Sequence, residues 1–103
     1  MKYALIYATC KNETEAKKIA VAIVDSKLAA CANIFPKAVS YYRWKGKKVW
    51  DTESVLILKT KKRKINKIIN KIKKLHSYTT PCILVFEVKS GNKNYLDWLN
   101  KSC

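Results

Sequence analysis

The chain has 103 residues, and its 22 Lys and Arg against 7 Asp and Glu give a formal charge of +15. That length supports one hydrophobic core and not two, and 49% hydrophobic residues separate it from disordered chains of similar charge. Two Gly and two Pro leave no linker or low-complexity segment, and no apolar run approaches a membrane span. The expectation is one compact, soluble domain over residues 1–103, with no membrane partner.

In chain order, Lys2–Ala8 is rich in Tyr, Leu and Ile and predicts a buried strand. Asn12 followed three residues later by Glu15 has the form of a capping box. The helix it opens carries Ala16, Ile19, Ala20, Ile23 and Val24 on one face and should end near Lys27. Ala29–Ile34 is short and apolar. Pro36 interrupts before Ala38–Trp44 continues as strand, which suits an edge or a bulge in a long bent strand. Lys45-Gly46-Lys47 is a hairpin turn, and Lys48–Lys59 is the returning strand. Within Lys61–Leu75, Ile65, Ile68, Ile69, Ile72 and Leu75 fall at helical spacing. Pro81 stops what precedes it, and Cys82–Val88 is the last strand. Ser90-Gly91-Asn92 turns into a short helix whose Tyr95, Leu96, Trp98 and Leu99 read as packing residues.

The order β-α-β-β-α-β plus a terminal helix is the α+β, ferredoxin-like pattern. Right-handed crossovers put both long helices on one sheet face. The other face is left bare beside a long hairpin carrying Tyr41, Tyr42 and Trp44. Such a face and such edges call for self-association.

The charge invites a nucleic-acid reading, but 20 of the 22 basic residues are Lys, and only Arg43 and Arg63 offer the planar fork of sequence-specific readers. The densest basic stretch, Lys59–Lys74, coincides with the amphipathic helix, so a solvated Lys face accounts for it. Salt-sensitive adhesion to polyanions is expected, and a specific nucleic-acid partner is not. Cys10, Cys31, Cys82 and Cys103 show no CxxC or Cys/His clustering, so no preformed zinc site is written in the spacing. Met1 to Ala8 is too short, and lacks the cleavage site, for a secretory leader; the thiols are then expected reduced in the cytoplasm.

The residues also carry a family resemblance. Ala8-Thr9 leads to Glu15-Ala16, then Leu28-Ala29-Ala30-Cys31-Ala32-Asn33-Ile34 with Pro36. Ser40, Tyr42, Trp44 and Gly46 follow, then Glu53 and Leu58-Lys59-Thr60, Leu75-His76 with Tyr78 and Pro81, and Tyr95-Leu96-Asp97-Trp98-Leu99. In this nearly end-to-end set the chain resembles the CutA divalent-cation tolerance proteins, with Ser77 standing where that family usually carries Pro. The resemblance implies a homotrimer with hairpins knitted across subunits, tolerance of copper or other divalent ions, and a likeness to the PII signalling trimers, which bind small effectors in intersubunit clefts. It implies no enzymatic activity, and no phosphate loop, acid–base pair or nucleophile motif stands out in the chain.

Three residues are candidate metal ligands. Cys10 is a soft donor at a strand-to-helix transition, where a helix N-terminus would lower its pKa. His76 is the only imidazole; the competing role is a cap on the preceding helix. Glu87 is a further carboxylate on the last strand. Cu²⁺ or another divalent cation is the expected ligand, with no cofactor obligatory. Cys31, in an apolar run, reads as packing. By the resemblance, Trp44, Glu53, Lys59 and Tyr78 fall around the intersubunit cleft, beside His76, and such a set suits a small anionic effector or a metal complex. A structural intersubunit ion pair between Glu53 and a Lys is the competing reading. The principal expectation is a homotrimeric, copper-type metal-binding protein; the alternative is a PII-like trimer binding an anionic effector.

Overall fold

The computed structural model describes residues 2–103; Met1, part of the segment read as strand against leader, lies outside them. Four strands, β1 (Tyr3–Cys10), β2 (Cys31–Trp44), β3 (Lys47–Lys61) and β4 (Ile83–Val88), form one antiparallel sheet in the order β2-β3-β1-β4. Helices α1 (Glu13–Asp25) and α2 (Ile65–Leu75) follow β1 and β3, and α3 (Lys93–Ser102) ends the chain. This is the β-α-β-β-α-β order read from the sequence.

Strand alternation sets the core. Ala4, Ile6, Ala8 and Cys10 all point to the helix side of β1 and are fully buried. Leu56 and Leu58 stand opposite Ala8 and Ile6, and Ala16, Ile19 and Ile23 of α1 with Ile68 and Ile72 of α2 close over them.

Local chemistry explains the boundaries. Asn12 caps α1 by accepting from the Glu15 amide at 2.9 Å. At the other end the Lys27 amide donates to Val24 O and the Leu28 amide to Ile23 O, a Schellman closure. Lys27 therefore takes φ 59°, a position glycine usually fills. The register shift between Phe35 and Ala38 brackets Pro36 on the edge strand β2, so the two predicted segments are one bulged strand. Lys45 and Gly46, both at positive φ, make the two-residue turn that matches the twist of its strands. A 3-10 turn, Lys62–Lys64, precedes α2, and no side chain caps either start.

Two packing expectations are corrected. In α3 only Leu99 is buried, while Tyr95 and Trp98 stay 40% and 46% exposed, because α3 meets the sheet along a narrow seam on β3. Cys31 is half-buried at the edge of the sheet; Ala29 is the fully buried residue of that run. Phe35, Val39, Trp44, Trp50, Leu84 and Phe86 are each more than half exposed, along the hairpin and the open sheet face.

Candidate functional site

The site begins where β1 outruns β4. The β1–β4 ladder stops at Ala8 and Ile83, while β1 stays paired with β3 to Cys10 and Ser54. Thr9 and Cys10 thus have a strand on one side only, and the chain leaving α2 closes the other. His76 Nε2 lies 2.7 Å from Thr9 O, and the Tyr78 amide donates to His76 Nδ1 at 3.0 Å. A carbonyl only accepts and an amide N–H only donates, so this pairing holds the ring as the neutral Nε2–H tautomer. The ring is fully buried. His76 is the C-cap residue of α2, and its amide donates to Ile72 O, but its imidazole crosses to β1 instead of capping the last carbonyls.

Glu15 is the residue that sequence reading assigned only a capping role. Its Oε1 accepts from the Lys11 amide at 3.2 Å and its Oε2 from the Ser77 amide at 3.1 Å, with His76 Nδ1 3.8 Å away. Burial pushes this carboxyl up, yet the bonds from Ser77 and Lys11 outweigh it and hold the pKa below the ordinary value. Ser77 supplies an amide that proline lacks, so the residue that departs from the family pattern binds the buried carboxylate. The signal available in the sequence was the Glu at the third helical position, which marks a cap without marking what else the carboxylate reaches.

Cys10 completes the cluster. One donor atom each from Cys10, Glu15 and His76 lies within 4.8 Å of the others. The expected thiolate is overturned: burial first, then the charges of Glu15 and Glu53, push the Cys10 thiol up to about 12. At the start of α1 the Asn12 side chain takes up the Glu15 amide.

Tyr78 connects this cluster to an open groove of about 660 Å³ on the other sheet face. Its hydroxyl donates to Glu53 Oε2 at 3.0 Å, while Tyr42 donates to Asp51 Oδ2 at 3.3 Å. Burial, then the Glu53 carboxylate, raises the Tyr78 phenol well above its usual range. Tyr7, Thr9, Trp44 and Tyr41 share the walls, and among the described residues the lining holds two carboxylates and no Lys or Arg.

A match to the CutA1 divalent ion tolerance protein family covers residues 4–102. The chain belongs to the CutA family. It is 41% identical over 97 residues to the divalent-cation tolerance protein CutA of Archaeoglobus fulgidus, covering 94% of each chain. To the protein of the same description from Thermus thermophilus it is 41% identical over 98 residues, 95% of each. The Thermus structure superposes with a TM-score of 0.93 at 40% identity over 97% of both chains. The Oryza sativa CutA1 structure gives 0.95 at 36% identity over 99% of this chain and 94% of that one.

Within this CutA-family chain the fold brings Cys10 and His76 together with Glu15. Trp44, Glu53 and Tyr78 line the adjoining groove. Lys59 does not: its ammonium bonds Tyr95 Oη at 3.1 Å and lies over that ring, held by α3. Within the chain Glu53 is bonded by the Tyr78 phenol. Glu87 is exposed on the edge strand β4 opposite Ala4 and is not among the clustered donors, because the antiparallel register carries it toward the start of β1 while Cys10 ends it.

Proposed function

We propose that the chain binds a divalent cation in metal-ion tolerance or response, taking a borderline or soft ion such as Cu²⁺ through Cys10, Glu15 and His76. The observation that carries this is the convergence of a sulfur, a carboxylate oxygen and an imidazole nitrogen within 4.8 Å, in a chain of the divalent-cation tolerance family. The donor chemistry suits such an ion. Loading releases the Cys10 proton, and His76 Nδ1 exchanges the Tyr78 amide for the metal, so binding strengthens as pH rises. Asp51 and Glu53 give the adjoining groove the sign that draws cations in. The same acidic lining, with Lys59 held elsewhere, weighs against a small anionic effector in this groove.

The role is binding and not catalysis, in a homotrimeric assembly. The exposed Phe35, Trp44, Trp50 and Phe86 support that assembly, since association buries what the isolated chain exposes. The thiols Cys10, Cys31, Cys82 and Cys103 are free, which favours the cytoplasm, although the Archaeoglobus fulgidus structure is described as that of a periplasmic protein.

Native mass spectrometry of the reduced protein with limiting Cu²⁺ tests both halves. The expected result is a trimer carrying a fixed metal count, reduced by Cys10→Ala and by His76→Ala with at least about a tenfold loss of affinity. Unchanged copper binding in both variants would show that the ligand set is wrong. A monomer would remove the assembly.

A further inference from the structure

The groove of about 660 Å³ beside the Cys10–Glu15–His76 cluster has a ligand chemistry of its own. We propose that it binds a short alkyl diammonium compound, one ammonium on Asp51 and the other on Glu53, with the alkyl chain laid along Tyr7, Tyr42 and Tyr78.

Strand register builds the site. Asp51 and Glu53 lie two positions apart on β3, so both side chains leave the same face of the sheet, about 7 Å apart along the strand. Directly opposite them on β2 stand Ser40 and Ala38. Those small residues leave room above the carboxylates that larger neighbours would fill. Tyr7 comes from β1, Tyr42 from β2 and Tyr78 from the loop after α2, so the rings converge from three elements.

Charge is the second observation. Glu53 is only 8% exposed, and its Oε2 accepts the neutral Tyr78 hydroxyl at 3.0 Å. Among the described residues of the chain, no Lys, Arg or His forms an ion pair with it. A carboxylate this buried is ordinarily paired with a cation. Asp51 is likewise held by a phenol, Tyr42 at 3.3 Å, and by the Thr52 amide at 2.8 Å. These bonds fix both carboxylates in place and leave their charge uncompensated. An ionised carboxylate offers about four acceptor positions, so each retains capacity for an ammonium. The chain has 22 basic residues, yet no Lys or Arg is among the described residues of this lining.

These features select one class of occupant. Anchored by different phenols one strand repeat apart, the carboxylates suit two separated charges better than one shared metal ion, which holds oxygens at about 2.0–2.6 Å. A bare ion would also leave the aromatic walls unused. Tyr rings attract ammonium groups through their faces and cover methylenes with the same surface. The net charge of the chain opposes any cation at long range, but that repulsion is screened beyond about 8–10 Å at ordinary salt, while the carboxylates act at contact. Nothing in this site calls on Cys10, so it stands apart from the copper reading.

The test is calorimetric titration of the whole reduced protein, stripped of metal, with 1,4-diaminobutane at neutral pH and fixed ionic strength. n-Butylamine and Mg²⁺ are run in parallel. Saturable binding at one site per chain is expected, with n-butylamine at least about tenfold weaker and Mg²⁺ a poor competitor. Asp51→Asn and Glu53→Gln should each weaken diamine binding at least about tenfold, and Tyr42→Leu several-fold. Asp97→Asn, which removes an equal charge from an exposed position on α3, should change it less than about twofold. Asp51 is only half-buried, so its comparison with Asp97 decides the matter even if Glu53→Gln perturbs folding. Equal losses in Asp51→Asn and Asp97→Asn would overturn the site and leave diffuse attraction. Equal affinity for n-butylamine and the diamine, or displacement by equimolar Mg²⁺, would overturn it also. So would an absence of binding; a carbodiimide cross-link from Glu53 to a lysine of a second copy would then give the groove to the neighbouring chain. Because the protein is metal-free throughout, failure here and failure of copper binding are read separately.

Discussion

β3 presents opposite chemistry at its two ends. At the hairpin end Asp51 and Glu53 face a groove of phenols and hydroxyls, and the adjacent Cys10–Glu15–His76 cluster is closed by hydrogen bonds on every side that the loop after α2 can reach. At the helix end Lys61, Lys2, Lys62 and Arg63 line a second groove with no acid among the described residues. In a chain with 22 basic residues of 103, a Lys-rich surface alone says little; a groove with two carboxylates and no Lys or Arg among its described lining residues says more. The difference is one of satisfaction. Polar groups at the hairpin end already have partners and should hold the fold together, whereas those at the helix end repel one another.

Substitution should separate the two. The largest loss is expected from Glu15→Ala, which strands the Lys11 and Ser77 amides beside a buried ring, at about 3 kcal/mol in a denaturant titration. A loss under about 0.5 kcal/mol would mean that water replaces the carboxylate freely, and the contrast between the ends would collapse. Ser77→Pro should come next. It removes one charge-assisted bond, worth about 1.5–3 kcal/mol, against about 0.4–1 kcal/mol gained from a stiffer unfolded chain. The His76 conformation before it, φ −78° and ψ 142°, accepts a following proline, so a net loss of about 1 kcal/mol is expected. Tyr78→Phe deletes the Glu53 bond and should cost about 1 kcal/mol. At the helix end the sign should reverse: Lys62→Gln should leave stability unchanged or raise it by a few tenths of a kcal/mol, since only repulsion is lost. A clear destabilisation there would reveal a structural role for that cation.

The pH dependence gives a further test. Glu15 has a folded pKa below its unfolded one, so its contribution is complete above the ordinary carboxylate range and is lost as pH falls through the depressed value. Cys10 behaves oppositely. Its folded pKa is raised to about 12, so its contribution is complete below the ordinary thiol pKa and is lost as pH climbs from there toward 12. Melting temperature against pH should therefore fall at both extremes, and Cys10→Ala should flatten the alkaline arm alone. If it flattens neither, the sulfur is less buried than the packing implies.

Much of this architecture was legible from residue order. Period-two and helical spacings marked the strands and helices, Asn12 with Glu15 marked the start of α1, Pro36 marked the bulge, and Lys45-Gly46 marked the hairpin, because each rests on interactions a few residues long. Those same local rules named Cys10 and His76 as donors. They did not join Glu15 to them, since that contact spans 62 positions between Glu15 and Ser77 and follows from β1 outrunning β4. They misjudged the Cys10 thiol, because its pKa depends on burial and on two carboxylates that only packing brings near. The family resemblance gave Lys59 to the intersubunit cleft, and helical spacing put Lys61 at the start of α2, where the structure makes it the last residue of β3. That Lys59 is held by Tyr95 was decided by where α3 came to rest, and that is a property of the packed chain.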